Sequence, residues 1–401
     1  MAKKILTTFK GLNNTSDPLE LGNSWLTTAT NLNITNACRV STRDGLEKNR
    51  DGLFSGAFST KGGERMFVVN AGVLEERDAA SGAYRPLVAG LSSSPMRWAE
   101  LNKQIFFNNG TDAGIVDERG RVLPLKFDAP PPPRVEVGSG SLEAGLYRAC
   151  CTFLLDDGRE TGSGDVVEVY VPDGGSLIFS EIPQAQGADA CVYIAPANST
   201  VFQLAFEGVG TAATWSLPAS QLGIELQSFA LSSLPDGADE IVFWRGSLYA
   251  SMHSPADGLS VVWFSKPLQF HLFDLAADYV VVKGRVNQLV ATDAALVIGT
   301  DWRDGNAIYA YALGDGGGAL TELASYGTVD GQNAVADDDG TALFLTCRGP
   351  ARAMPYELLA PQVSFAPGLS AGGGFIERDG DKRYVFSMIP GGSPWNAWRG
   401  R

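Results

Sequence analysis

The chain has 401 residues, 44% of them hydrophobic, and a formal net charge of -14; this excludes a disordered polymer and allows two or three cores of ordinary domain size. The acidic balance also excludes nonspecific binding to a phosphate backbone, which needs clustered Lys and Arg. Two histidines, and five cysteines without a CxxC pair, leave little material for zinc, redox or Ser-His-Asp chemistry.

Residues 1–55 read as an extended arm with first strands. Within the first fifty residues Lys3, Lys4, Lys10, Arg39, Arg43, Lys48 and Arg50 face only Asp17, Glu20, Asp44 and Glu47, a surplus of +3 that leaves the rest at -17. Such lopsidedness suits an arm that docks on an acidic neighbour. Met1 to Lys10 has no apolar core of signal-peptide length, and no later run reaches the roughly 18 apolar residues of a membrane span. The expectation is a soluble protein made in a reducing cytoplasm, with Cys38, Cys150, Cys151, Cys191 and Cys347 as buried free thiols and no membrane insertion.

Beyond the arm, apolar residues come as runs of four to eight, or as alternations, bounded by Gly, Asp, Asn and Pro, which predicts an all-β fold. Residues 56–128 hold strands at Met66 to Asn70 and Gln104 to Asn108, the latter followed by an Asn109-Gly110 turn. Pro130 to Pro133 reads as a stiff polyproline spacer. After it, Tyr147, Ala149, Cys151, Phe153 and Leu155 alternate onto one face of a strand that ends in an Asp156-Asp157-Gly158-Arg159 turn. Roughly seven short strands in about 90 residues make 129–230 the size of an immunoglobulin/fibronectin-like β-sandwich.

Residues 231–393 carry strands at Glu240 to Phe243, Leu248 to Met252, Ser260 to Phe264, Tyr279 to Lys283, Ala295 to Gly299, Ala307 to Leu313, Ala342 to Cys347 and Arg383 to Met388. Turns marked by Asp or Gly recur at Arg245-Gly246, Thr292-Asp293, Asp338-Asp339-Gly340 and Arg378-Asp379-Gly380. Their spacing of about 40 to 50 residues is near that of one four-stranded propeller blade. The predicted architecture is therefore a β-propeller, begun in 56–128 and completed in 231–393, with the sandwich inserted and an extended N-terminal arm. Residues 394–401 form a tail in which Trp395 and Trp398 are costly to expose, which marks them as interface candidates.

Each residue group that could carry chemistry has a plainer reading. His271, in Phe270-His271-Leu272-Phe273, reads as a packed or hydrogen-bonded histidine. Gly314-Asp315-Gly316-Gly317-Gly318-Ala319 satisfies G-x-G-x-x-A, but too few residues follow for the helix that should hold a pyrophosphate, so it reads as a connecting loop. Asp156 and Asp157, Asp301 and Asp304, and Asp337 to Asp339 are candidate carboxylate pairs, yet each lies beside Gly or a turn that favours Asp. The last group lacks the spacing of a calcium loop. No catalytic residue, cofactor or metal is expected, and the other tryptophans read as core or interface packing.

The arm carries an ordered set: Phe9, Gly11, Leu12, Asn13 and Asn14; then Asn31 and Ile34; then Arg39, Arg43 and Gly45. Taken singly these are apolar anchors of an edge strand and the residues of a turn. As an F-x-G-[IL]-N arm, an A-x-N-[LV]-x-[IV] strand and an R-x-x-x-R-x-G turn in that order, they resemble the N-terminus of β-propeller tail proteins of tailed bacteriophages, the nozzle, tail-completion and tail-tip proteins. The resemblance implies a structural virion protein, a homo-oligomeric ring at the distal tail that extends or closes the DNA conduit. Its implied partners are other tail or connector proteins, with transient contact to genomic DNA. The alternatives are a receptor-binding module of the tail tip or baseplate that meets a host surface receptor and, disfavoured for want of a convincing acid pair, a glycan-degrading propeller enzyme.

Overall fold

The computed structural model describes residues 10–30, 32–34, 40–42, 50–304, 307–314, 317–336, 340–363, 368, 370–378 and 381–389. Among them the fold is all-β: strands with three short 3-10 turns and no α-helix. No helix is long and apolar enough to cross a membrane.

Five antiparallel sheets repeat one plan. Sheet 1 is Phe54–Ser59, Met66–Asn70, Val73–Arg77 and Tyr84–Ala89; sheet 2 is Arg97–Leu101, Gln104–Asn108, Ala113–Val116 and Val122–Pro124. Sheet 3 is Glu240–Trp244, Ser247–Ser254 and Leu259–Lys266, with Gln269–Phe273 and Tyr279–Lys283 both paired to the third strand. Sheet 4 is Val286–Ala291, Leu296–Thr300, Ile308–Gly314 and Gly317–Ala324; sheet 5 is Val335–Ala336, Ala342–Thr346, Gly349–Arg352 and Glu357–Leu358. A hairpin, Ser370–Arg378 with Asp381–Ile389, follows. The first strands of sheets 2 and 3, 3 and 4, and 4 and 5 pack side by side, and Met96 N–H donates to Ser55 O at 2.8 Å to join sheet 2 to sheet 1. The arrangement is propeller-like.

Packing between successive sheets explains the continuous apolar runs. In Gln104–Asn108, Ile105 and Phe107 enter the core shared with sheet 1, while Phe106 enters the core shared with sheet 3. In sheet 4, Leu289, Leu296 and Ile298 face sheet 3, and Val290 and Val297 face sheet 5. A sheet buried on both faces has no polar side to alternate toward solvent. One hairpin in each of sheets 1, 2 and 3 turns through two left-handed residues, Ala71-Gly72, Asn102-Lys103 and Arg245-Gly246, the geometry that matches strand twist in a tight hairpin. Gly317–Ala324 continues sheet 4 as a strand, so the G-x-G-x-x-A segment leads into a hairpin.

Between sheets 2 and 3 lie two further sheets. Arg134–Leu142, Gly175–Ser180 and Ala213–Trp215 form one; Val167–Val171, Gly145–Leu155, Ala188–Ala195 and Gln203–Glu207 form the other. Leu177, Phe179 and Trp215 of the first share a core with Tyr147, Ala149, Cys151, Val192 and Ile194 of the second. The alternating face expected in 147–155 is present, but the opposite face is covered too: Cys150, Cys191 and Tyr193 pack with Phe202 and Leu226. Cys150, Cys151 and Cys191 are buried free thiols and Cys347 is partly buried; burial pushes the first three up to about 12, which suppresses the reactive thiolate. Cys38 lies outside the described residues.

Pro130 to Pro133, the stiff spacer of the sequence reading, runs between sheet 2 and the sheet that begins at Arg134, with Pro130 and Pro133 buried. The chain enters this region at Phe127 and leaves it at Ser233, and the two are tied by Phe127 N–H donating to Ser233 Oγ at 3.0 Å. Both crossings are held against Gly162-Ser163-Gly164. A Cβ on Gly162 would lie 1.8 Å from Leu231 O, and one on Gly164 would lie 1.9 Å from Pro130 O. Ser163 Oγ accepts from Ala230 N–H at 3.1 Å. His271 anchors the same region to sheet 3, its Nε2 at 2.9 Å from Glu160 O, which matches the packed, hydrogen-bonded histidine expected.

Gly164→Ala should therefore destabilise the protein by about 1–3 kcal/mol, the usual cost of overpacking, whereas Gly158→Ala, at a turn with open space around it but a φ of +83°, should cost about 1 kcal/mol from backbone conformation alone. Urea denaturation of the two variants measures the order.

Candidate functional site

Where the first strands converge, the structure collects charge. Arg97 opens the first strand of sheet 2, and its guanidinium is almost fully buried. Nε donates to Glu240 Oε1 at the head of sheet 3, and Nη2 donates to Asp330 Oδ1 in the segment before sheet 5. Beside them Arg285, just before sheet 4, pairs with Asp239 at 3.3 Å. Five charged residues from the heads of four sheets thus meet at one junction, in which Arg97 and Glu240 are buried and Arg285 is partly exposed.

Amide side chains extend this junction. Asn108 Nδ2 donates to Ala238 O at 2.5 Å and binds sheet 2 to the approach of sheet 3. Trp98 N–H donates to Gln332 Oε1 at 3.2 Å. Gln288 Nε2 donates to Val329 O at 3.0 Å and Gly331 O at 2.5 Å, and Asn333 Oδ1 accepts from Leu345 N–H at 2.9 Å. Ala371 N–H, in the final hairpin, donates to Asp330 O at 2.7 Å. Asn108, Gln288 and Gln332 satisfy backbone groups of a neighbouring sheet or its approach, while Asn333 ties the segment before sheet 5 to that sheet's second strand; a side chain of fixed length does so only in one register.

The electrostatics follow from the count of groups. Three carboxyl groups, Asp239, Glu240 and Asp330, meet two guanidiniums, Arg97 and Arg285, so one negative charge is in surplus where solvation is lost. Burial, reinforced by Asp239 and Asp330, pushes Glu240 up to about 8 against the pull of Arg97, and burial raises Asp239 as well. Arg97 stays charged; the carboxyl groups beside it outweigh the burial that opposes its charge. The junction acts as a clamp: each of its carboxyl groups is engaged by a guanidinium, Glu240 and Asp330 by Arg97 and Asp239 by Arg285.

The carboxylates singled out in the sequence lie elsewhere and make turns. Asp157 Oδ1 accepts from Arg159 N–H at 3.1 Å, and Asp301 accepts from Arg303 N–H and Nε at 2.9 Å. Asp156 is exposed. The side chain of Asp304, and Asp337 to Asp339, lie outside the described residues.

The arm candidates are described in part. Gly11–Leu12 pairs in parallel with Trp25–Leu26. Asn13 is buried, and its Oδ1 accepts from Thr15 N–H at 3.2 Å and Ser16 N–H at 3.1 Å. Asn14 N–H donates to Gln362 O at 3.2 Å. Ile34 lies in the strand Leu32–Ile34, which pairs with Val40–Thr42. Phe9, Asn31, Arg39, Arg43, Gly45, Trp395 and Trp398 lie outside the described residues. Of the remaining tryptophans, Trp98, Trp215, Trp244 and Trp263 are core residues.

Sequence reading passed over Arg97, Asp239, Glu240, Arg285 and Asp330. The available signal was charge at the head of an apolar strand, Arg97 before Trp98 and Asp239-Glu240 before Ile241.

No family profile and no curated protein matches the chain. Among solved structures it is similar to a protein from Lactobacillus plantarum (11% identity, 87% of this chain and 92% of the other, TM-score 0.36). It is similar also to a putative 6-phosphogluconolactonase from Bacteroides uniformis (12%, 82% and 88%, 0.33) and to a virginiamycin B lyase from Staphylococcus aureus (11%, 75% and 94%, 0.25). Likenesses of this depth carry no argument about what the chain does.

Two predictions follow from the clamp. Arg97→Met should cost about 3–5 kcal/mol, because it strands buried carboxyl groups without a partner; chemical denaturation at neutral pH reads it. A carboxyl whose pKa is raised on folding stabilises most while protonated in both states, and loses that contribution as pH rises from its ordinary 4.5 to about 8. Glu240→Gln, neutral throughout, should therefore gain on the wild type over that window, and melting temperatures across the pH range should converge toward or cross in the variant's favour.

Proposed function

We propose that this chain is a non-catalytic structural protein of a tailed-bacteriophage tail, a propeller whose residues 129–230 form an inserted immunoglobulin/fibronectin-like sandwich, assembled as a ring at the distal tail. The observation that carries the reading is the ordered N-terminal set. The described part of it supports an arm rooted in the body: Gly11–Leu12 is paired to Trp25–Leu26 and Asn14 is bonded to Gln362, so the segment's base is fixed to the far end of the chain. A basic segment on such a root, on an otherwise acidic body, suits docking on the acidic body of a neighbouring copy or of another tail protein. The two sheets around one core between 134 and 215 support the sandwich. The internal pairing of the junction's carboxyl groups supports a mechanical role for the centre of the propeller, and an acidic lumen would let DNA pass without sticking.

Immunogold labelling of phage particles whose genome encodes the chain tests the proposal. Label confined to the distal end of the tail is the expected outcome; intact particles that carry no label, with the chain found free in the lysate, would refute it.

A further inference from the structure

A cleft of about 470 Å³ opens where sheet 2, the Asp156–Arg159 turn and the Leu268–His271 segment of sheet 3 meet. That volume is within the roughly 300–1,000 Å³ of small-molecule sites. Its position depends on the fold alone, since its walls come from residues more than a hundred positions apart. We propose that this cleft binds a small neutral saccharide.

The chemistry of the walls selects the ligand. Two Asp–Arg pairs line it. In one, Arg121 Nε donates to Asp117 Oδ2 at 2.7 Å, which leaves the two Nη groups of a largely exposed guanidinium without a bond to the protein. In the other, Arg159 donates to Asp157 Oδ2 through Nε at 2.9 Å and Nη2 at 2.7 Å, while its buried Nη1 finds no acceptor. His271 gives its Nε2 proton to Glu160 O, and burial lowers its pKa, so the ring is neutral and its Nδ1 is an acceptor. Each cationic group is matched by a carboxylate, and the cleft has no net charge with which to hold an ion.

It nevertheless has the two free Nη donors of Arg121, carboxylate oxygens to accept, and an apolar wall that includes Phe270, which itself rests edge to face on the buried Phe106 at 6.0 Å. A ligand that both donates and accepts hydrogen bonds, carries no charge and offers an apolar face answers all of these conditions. A pyranose ring does so: its hydroxyls bond in both directions to planar carboxylate and guanidinium groups, and its C–H face packs on an aromatic ring. Leu268, exposed at the rim, would cover the ring's outer edge.

The inference stands apart from the proposed place in a virion, since the test uses the purified full chain and its result is independent of where particles carry label. Saturation-transfer NMR is run with glucose, galactose, mannose, N-acetylglucosamine, lactose and maltose, and with citrate as a charged control. At least one of the sugars should give a saturable signal and citrate none. Arg121→Ala should weaken that sugar's binding roughly tenfold, as for loss of hydrogen bonds from a charged donor. Arg134→Ala, which removes an exposed arginine from the three-stranded sheet, should leave it unchanged. Arg121→Gln replaces Arg121→Ala if the latter fails to fold. The proposal is overturned if no sugar in the panel binds, if citrate binds in preference, or if the Arg121 variant binds as the wild type does.

Discussion

The guanidinium of Arg97 holds the centre of this molecule. It reaches Glu240 at the head of one sheet and Asp330 in the approach to another, residues 143 and 233 positions away along the chain. A buried ion cluster of this kind contributes little net stability over a packed apolar one, because desolvation offsets most of the Coulomb attraction. What it supplies is register. The sheets pack through smooth apolar faces that would tolerate sliding, and a forked donor with two fixed acceptors admits one arrangement. The surrounding amides of Asn108, Gln288 and Gln332 act in the same direction, each spanning from one sheet to the backbone of another or of its approach.

A second constraint is steric. The region between sheets 2 and 3 is entered and left through strands of chain that lie against Gly162 and Gly164, at separations that no side chain survives. Ser163 between them bonds to the departing strand, and His271 ties the adjoining turn to sheet 3. The middle region is thus fastened at its root to both neighbouring sheets, and the polar cleft proposed to take a sugar is a product of that fastening. Its walls are a sheet edge, a turn and a strand from three parts of the chain that only the docking brings within reach of one ligand.

Much of the fold was legible because burial on both faces writes itself into composition. Runs such as Gln104–Asn108 and Leu296–Thr300 are too short and too continuously apolar for amphipathic helices, and turns between strands carry Gly and Asn at left-handed positions. The Asp156–Arg159 turn and the packed His271 could be read for the same local reasons. The stiffness of the polyproline segment is intrinsic and could be read, whereas the contact of Pro130 with Gly164, more than thirty residues away, could not.

Sequence by itself determined what depends on neighbours along the chain: strands, turns, the absence of amphipathic helices, the uneven charge between arm and body, and the ordered N-terminal set behind the proposed role. Tertiary structure alone decided which charges meet. Nothing local distinguishes Arg97 from other arginines at strand starts, or Glu240 from a solvated carboxylate, because their burial and pairing arise from contacts between sheets. For the same reason Asp157 and Asp301, conspicuous in the sequence, bond to a residue two positions away, while the partners of Arg97 lie in other sheets.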